Sequence, residues 1–191
     1  MNSLAISDAL LALVAFGIVV KGESSLVFRL GVGILGAAAL LGMLKFSRLL
    51  PLPELHLSAS LLSQAAGFPL IAVAVLWPTC AESQKLKALG FSYILLISIV
   101  VVVVEALAIT AYTQLIATTA LLAICIMALL RRQGLTLLGG ATLLLGFILF
   151  ASKIQLVWFL QPGDYLHICL AIGLLLLAKI DIKVKPIDLS G

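Results

Sequence analysis

The chain has 191 residues, of which 63% are apolar and 10% charged, whereas a soluble domain carries about 25% charged residues. A water-soluble fold of this size could not hide so much apolar surface, so the composition excludes an ordinary globule and points to the bilayer as solvent. The net charge of +4 comes without a long basic run or a basic stripe interleaved with aromatics, which excludes a nucleic-acid partner.

A spanning helix needs roughly 20 apolar residues, within about 17 to 25. The first run, 4–20, carries Asp8, lacks a basic flank before it and shows no small-x-small cleavage site before Lys21. It reads as a retained helix and not as a signal peptide. The second run, 26–44, ends before Lys45, and Pro51 and Pro53 then break the chain. The third, 56–77, stops at Pro78, and Pro69 predicts a kink inside it.

After a polar loop at 82–87 comes an apolar stretch from 88 to 130, too long for one span and right for two. Its polar cluster, Thr110 to Gln114, sets the turn, giving spans 88–109 and 113–130. Arg131 to Gly134 end the fifth span. The sixth is 135–152, followed by a connection whose Trp158 and Phe159 suit a membrane interface. Pro162 and Gly163 lead into the seventh, 164–180. The expected fold is an all-α membrane bundle of seven transmembrane helices over 1–191, a single domain. Six spans result if the fourth and fifth are misjudged.

Seven spans with the N-terminus outside put Lys21, Arg29, Lys85, Lys87, Arg131, Arg132, Lys179, Lys183 and Lys185 on the inner side. Lys45, Arg48 and Lys153 fall on the outer side. Basic residues favour the cytoplasmic face, so the expected orientation is N-out, C-in. Short loops suggest a bacterial cytoplasmic (inner) membrane.

A charged group at mid-span costs roughly 2.5–3.5 kcal/mol on insertion scales, so such groups face the bundle interior and find partners. Glu105 follows five valines in the fourth span. It is either a functional carboxylate or half of a structural pair. In the third span His56, Ser60, Ser63, Gln64 and Gly67 share one helical stripe. That stripe is interhelical hydrogen-bonding glue or one wall of a pocket. Asp164 and His167 lie three apart at the start of the seventh span. Asp164 can orient the imidazole or simply cap the helix.

With the N-terminus outside, Asp8, Lys45, His56, Ser60, Ser63, Gln64, Glu105, Asp164 and His167 all fall in the outer half. A shared outward-opening pocket is the simplest arrangement. Gly31, Gly33 and Gly36 spell G-x-G-x-x-G, but they lie in a span with no preceding strand, so helix packing explains them better than nucleotide binding. Cys80, Cys125 and Cys169 are too few and too scattered for a disulfide framework or a zinc knuckle.

The acidic residue in the first span, the Gly/Ala-rich second span ending in Gly42-Met43-Leu44-Lys45-Phe46, and the Pro162-Gly163-Asp164-Tyr165-Leu166-His167 start of the last span resemble the alkaline ceramidase and progestin/adiponectin receptor superfamily of seven-helix membrane hydrolases. That resemblance implies a lipid amide or ester hydrolase, with His167 as base or ligand, Asp164 orienting it and Glu105 as acid/base or ligand. It also implies a three-histidine zinc site. This chain has two histidines in total and Lys45 where the second span would supply one, so no metal ligands are assigned; a set of His56, His167 and a carboxylate is the remaining zinc option. The leading expectation is a non-catalytic protein that binds a lipid or small amphiphile, or a membrane-complex subunit pairing with another membrane protein. A hydrolase is the alternative, and a proton-coupled carrier using Glu105 is a third.

Overall fold

The computed structural model describes residues 2–21, 24–50, 52–77 and 111–181. The described residues form α1 (Ser3–Lys21), α2 (Leu26–Phe46), α3 (Pro53–Leu62), a π-helical turn (Ser63–Gly67), α4 (Phe68–Leu76), α5 (Ala111–Leu130), α6 (Gly134–Ser152) and α7 (Pro162–Asp181). With α3, the π turn and α4 counted as one rod (Pro53–Leu76), six helices are long and apolar enough to cross a membrane. The chain is thus a polytopic, all-helical membrane protein. The expected spans in the described regions are found within a few residues of their predicted limits. The expected span 88–109 lies outside the described residues, and Glu105 and Cys80 with it.

The local reasons are legible. Ser25 caps α2 by accepting from the Phe28 amide. Pro53 and Pro162 open α3 and α7 at positions where a missing N–H costs nothing. Arg48, Arg132 and Lys153 adopt positive φ just beyond the ends of α2, α5 and α6, where a left-handed residue closes a helix. The kink predicted at Pro69 takes the form of the π turn just before it. Proline cannot donate to the carbonyl four residues back, and the ladder widens by one residue there.

The helices form a ring in chain order: each packs on its neighbour among the described elements, and α1 closes the ring against α7. Neighbouring membrane helices gain little from apolar burial, so close approach depends on small residues. Gly31 of α2 sits against the Gly67 carbonyl and Ile71, and Gly36 against Ala15. A methyl group built on Gly139 or Gly146 of α6 would collide with α7, at Leu177 and Cys169 respectively. Two glycines of the G-x-G-x-x-G run therefore work as helix crossings. The closed core includes Leu11, Ala15, Val32, Ile71, Leu121, Leu143 and Leu174.

Directions follow from who meets whom. Leu4 meets Gly163 and Ser7 meets Asp164, so α1 and α7 are parallel. Arg131, just past α5, donates to the Leu76 carbonyl at the end of α4 (3.0 Å), so α4 and α5 also end together. One end of the ring holds the starts of α1, α3, α5 and α7 and the finishes of α2 and α6. Lys45, Arg48 and Lys153 belong to this end, while Lys21, Arg29, Arg131, Arg132 and Lys179 belong to the other. At the first end the α6–α7 connection is pinned by the Tyr165 hydroxyl, which accepts from the Val157 amide (2.7 Å). Trp158 stands 87% exposed beside it.

Candidate functional site: a polar wall in the cavity of the bundle

Inside the ring, at the end where α1, α3 and α7 begin, lies a cavity of about 840 Å³. Its walls are largely apolar: Leu11 and Leu35 from the first two helices, Phe68 from α4, Leu144 and Phe147 from α6. Asp8, His56, Ser60, Ser63, Gln64 and His167 supply polar lining, with Gln114, Thr118, Lys153 and Gln161. Six of the nine residues singled out from the sequence therefore line one space. Asp164 lies directly behind the wall, fully buried. Lys45 is half-buried at the rim, near enough for its charge to bear on Asp8 and His56. Glu105 lies outside the described residues.

The polar wall is built where α1 meets α7. Asp164 is the third residue of α7, and its Oδ2 accepts from the Gln161 amide (2.7 Å). This is the back-reaching half of a capping box, so the helix-cap reading of Asp164 holds. Its Oδ1 accepts from the Ser7 hydroxyl (2.7 Å). Both oxygens are thereby occupied, and Asp164 reaches His167 only through Ser7. The direct Asp164–His167 pairing expected from their spacing gives way to this relay.

His167 Nδ1 stands 3.1 Å from Ser7 Oγ and 3.4 Å from Asp8 Oδ1. Ser7 has one proton, and it goes to Asp164. The Ser7 oxygen can then only accept from His167, so Nδ1 carries the hydrogen and neutral His167 keeps a bare lone pair at Nε2. Among the described residues no hydrogen bond engages Nε2, and His167 lines the cavity.

Asp8 is 1% exposed, and its Oδ2 is buried with no hydrogen-bond partner. The carboxylate lies against the Gly42 backbone, where a methyl group would overlap it; the glycine of the Gly42–Phe46 motif makes room for the acid. Across the cavity, His56 Nδ1 is also buried without a partner, and its ring sits edge-on to Phe46 with centroids 5.7 Å apart. Gln64 Oε1 accepts from Thr113 Oγ1 (2.9 Å), which ties the π turn to α5. That contact is the hydrogen-bonding glue considered for the third-span stripe. His56, Ser60, Ser63 and Gln64 nevertheless line the cavity, so the stripe serves both purposes.

Sequence reasoning missed Ser7, the hub of the network. The available signal was a small hydroxyl residue one position from the only acid in the first span. Gln114 and Gln161 were missed because each lies close to a helix end, where a polar residue looks like solvent; Thr118, two turns into α5, was missed because a lone hydroxyl in an apolar helix gives no signal of its own.

Among the described residues, no three His, Cys, Asp or Glu side chains are grouped to hold a metal ion. The donors do not fit a three-histidine zinc centre: the chain has two histidines, and His167 Nδ1 is engaged by Ser7 and Asp8. The described helices are those of a polytopic helical membrane protein, and the bundle encloses a cavity with one polar wall. Compared with known proteins, the chain matches no family model, no curated protein and no solved structure.

Proposed function

We propose that this is a membrane protein of seven spans, N-out and C-in, whose cavity binds a lipid or small amphiphile from the outer side. The single observation that carries the reading is the cavity itself: apolar walls enclosing a polar patch of Asp8, His56 and His167 inside the bundle. Its size falls within the roughly 300–1,000 Å³ typical of small-molecule sites. Greasy walls with a few convergent polar groups suit a ligand that has a tail and a headgroup.

Seven spans are supported by connectivity. The third span ends at Leu76 and α5 begins at Ala111, at opposite ends of the ring, which supports the expected span between them. Five basic residues at the end with Lys21 and Arg131 against three at the cavity end, among the described residues, support placing the cavity outside. A bacterial inner membrane is the setting this simple, loop-poor design fits.

The test is native mass spectrometry of the gently solubilised protein. A co-purifying amphiphile is expected at about one per chain. It should be lost in Ala38→Phe, which fills the cavity, and kept in Leu13→Phe, which alters an exposed face. An amphiphile that survives Ala38→Phe would place binding elsewhere.

A second reading, a lipid amide or ester hydrolase of the ceramidase type, is favoured by one observation: His167 lines the cavity and is held through Nδ1, with no hydrogen bond at Nε2 among the described residues, as a general base requires. The base would activate water, because Ser7 is committed to Asp164. Hydrolysis of a short-chain amide or ester lipid that persists in His167→Ala would remove this reading.

A further inference from the structure

We propose that the headgroup seated on the Asp8–His167 wall is a primary ammonium, so that the cavity takes a single-chain amine amphiphile. This rests on the amphiphile reading above and names its ligand class.

The inference starts from Asp8. A carboxylate removed from water needs donors or a counter-charge. Among the described residues Asp8 has one charged or polar side-chain partner, His167 Nδ1 at 3.4 Å, and its second oxygen, packed against the Gly42 backbone, has no hydrogen-bond partner. Asp164, by contrast, has both oxygens filled. The wall is therefore short of donors at Asp8 and not at Asp164. The other unpartnered positions, one on the same wall and one across the cavity, are acceptors too. His167 Nε2 presents a lone pair, and His56, whose ring faces the Ala38 carbonyl, has an unpartnered Nδ1.

An ammonium brings three N–H donors and a positive charge. A hydroxyl brings one donor and no charge, and a carboxylate headgroup brings only acceptors and a like charge. Lys45 does not take the role itself: it comes within ion-pair distance of no acid among the described residues, although its charge reaches Asp8. Lys153 lines the cavity but is exposed at the rim. These two cations are the features that would favour an anionic headgroup instead, and the experiment sets them against Asp8.

Purified protein in a neutral detergent is titrated with dodecylamine, dodecanol and dodecanoate, which share one tail, and thermal unfolding is followed. Partition into the micelle is common to wild type and Asp8→Asn, so their difference reads the site. The expected result is an apparent affinity for dodecylamine at least about tenfold above that for dodecanol, a difference of about 1.4 kcal/mol. Asp8→Asn should reduce the amine to the alcohol's value. Equal binding of amine and alcohol overturns the ammonium assignment and leaves the amphiphile reading standing. Tightest binding by dodecanoate overturns it in favour of the rim lysines. No response to any of the three removes both. Should Asp8→Asn fail to fold, the wild-type ranking decides, with His167→Gln expected to weaken the amine selectively.

Discussion

The Ser7 hydroxyl donates to Asp164 across 157 residues of sequence at 2.7 Å, and this bond fixes the chemistry of the wall. It joins the first helix to the last and spends the only serine proton. A nucleophilic triad runs carboxylate, imidazole, hydroxyl, with the imidazole in the middle. Here the hydroxyl is in the middle, so Ser7 positions His167 and is no nucleophile.

Ser7→Ala is expected to destabilise the protein by about 1–3 kcal/mol, the cost of leaving a buried acceptor short of a donor. Asp164→Asn should cost a similar amount. Because the two residues share one bond, the double variant should fall short of the sum by more than about 0.5 kcal/mol. Unfolding in mixed detergent micelles measures the cycle; strict additivity would mean the bond is not formed.

Gly42→Ala should destabilise by about 1–3 kcal/mol, since the new methyl group must displace the Asp8 carboxylate. It should also weaken any ligand held at Asp8. Gly17→Ala is the control: nothing lies within 4 Å of the added carbon, and helix propensity predicts a neutral change or a gain of up to about 1 kcal/mol. Equal unfolding midpoints for the two variants would contradict the close packing of α1 on α2.

Gln64→Leu removes the hydrogen bond from Thr113. Interhelical polar bonds in membranes average about 0.6 kcal/mol, so a loss near that size is expected by the same unfolding assay. A loss several-fold larger would show that Gln64 holds the π turn as well as the helix contact.

Orientation has its own test. In a background with Cys80, Cys125 and Cys169 replaced by alanine, Lys153→Cys should react with a membrane-impermeant maleimide added to intact cells, and Arg132→Cys should react only after lysis. The reverse pattern would turn the bundle over and make the cavity face the cytoplasm.

Much of the scaffold was legible because a bilayer imposes a length on every apolar run. The limits of α6 follow from Gly134 and Lys153, and Lys45 marks the last turn of α2. The gathering of Asp8, His56, Gln64 and His167 was legible because polar groups in spans cannot face lipid. The internal wiring was not. Periodicity places Asp164 and His167 on one face, but it does not show that Gln161 and Ser7 claim both oxygens of the acid first. Nor could it separate neighbours: Asp8 was conspicuous by charge, while Ser7, which does the joining, is an ordinary residue in any helix. The fifth span illustrates a related ambiguity. Thr113 and Gln114 marked a turn by polarity, yet both lie inside α5, where Thr113 is fully buried.

The π turn at Ser63–Gly67 carries a consequence for how such a cavity comes about. A π turn is an α-helix with one surplus residue, and one residue is worth about 100° of rotation. Excising a single residue there would swing the ten preceding positions around the rod and carry His56 and Ser60 toward lipid, while Ile71 stayed packed on α2. The polar lining on this side thus hangs on the register that a single surplus residue sets.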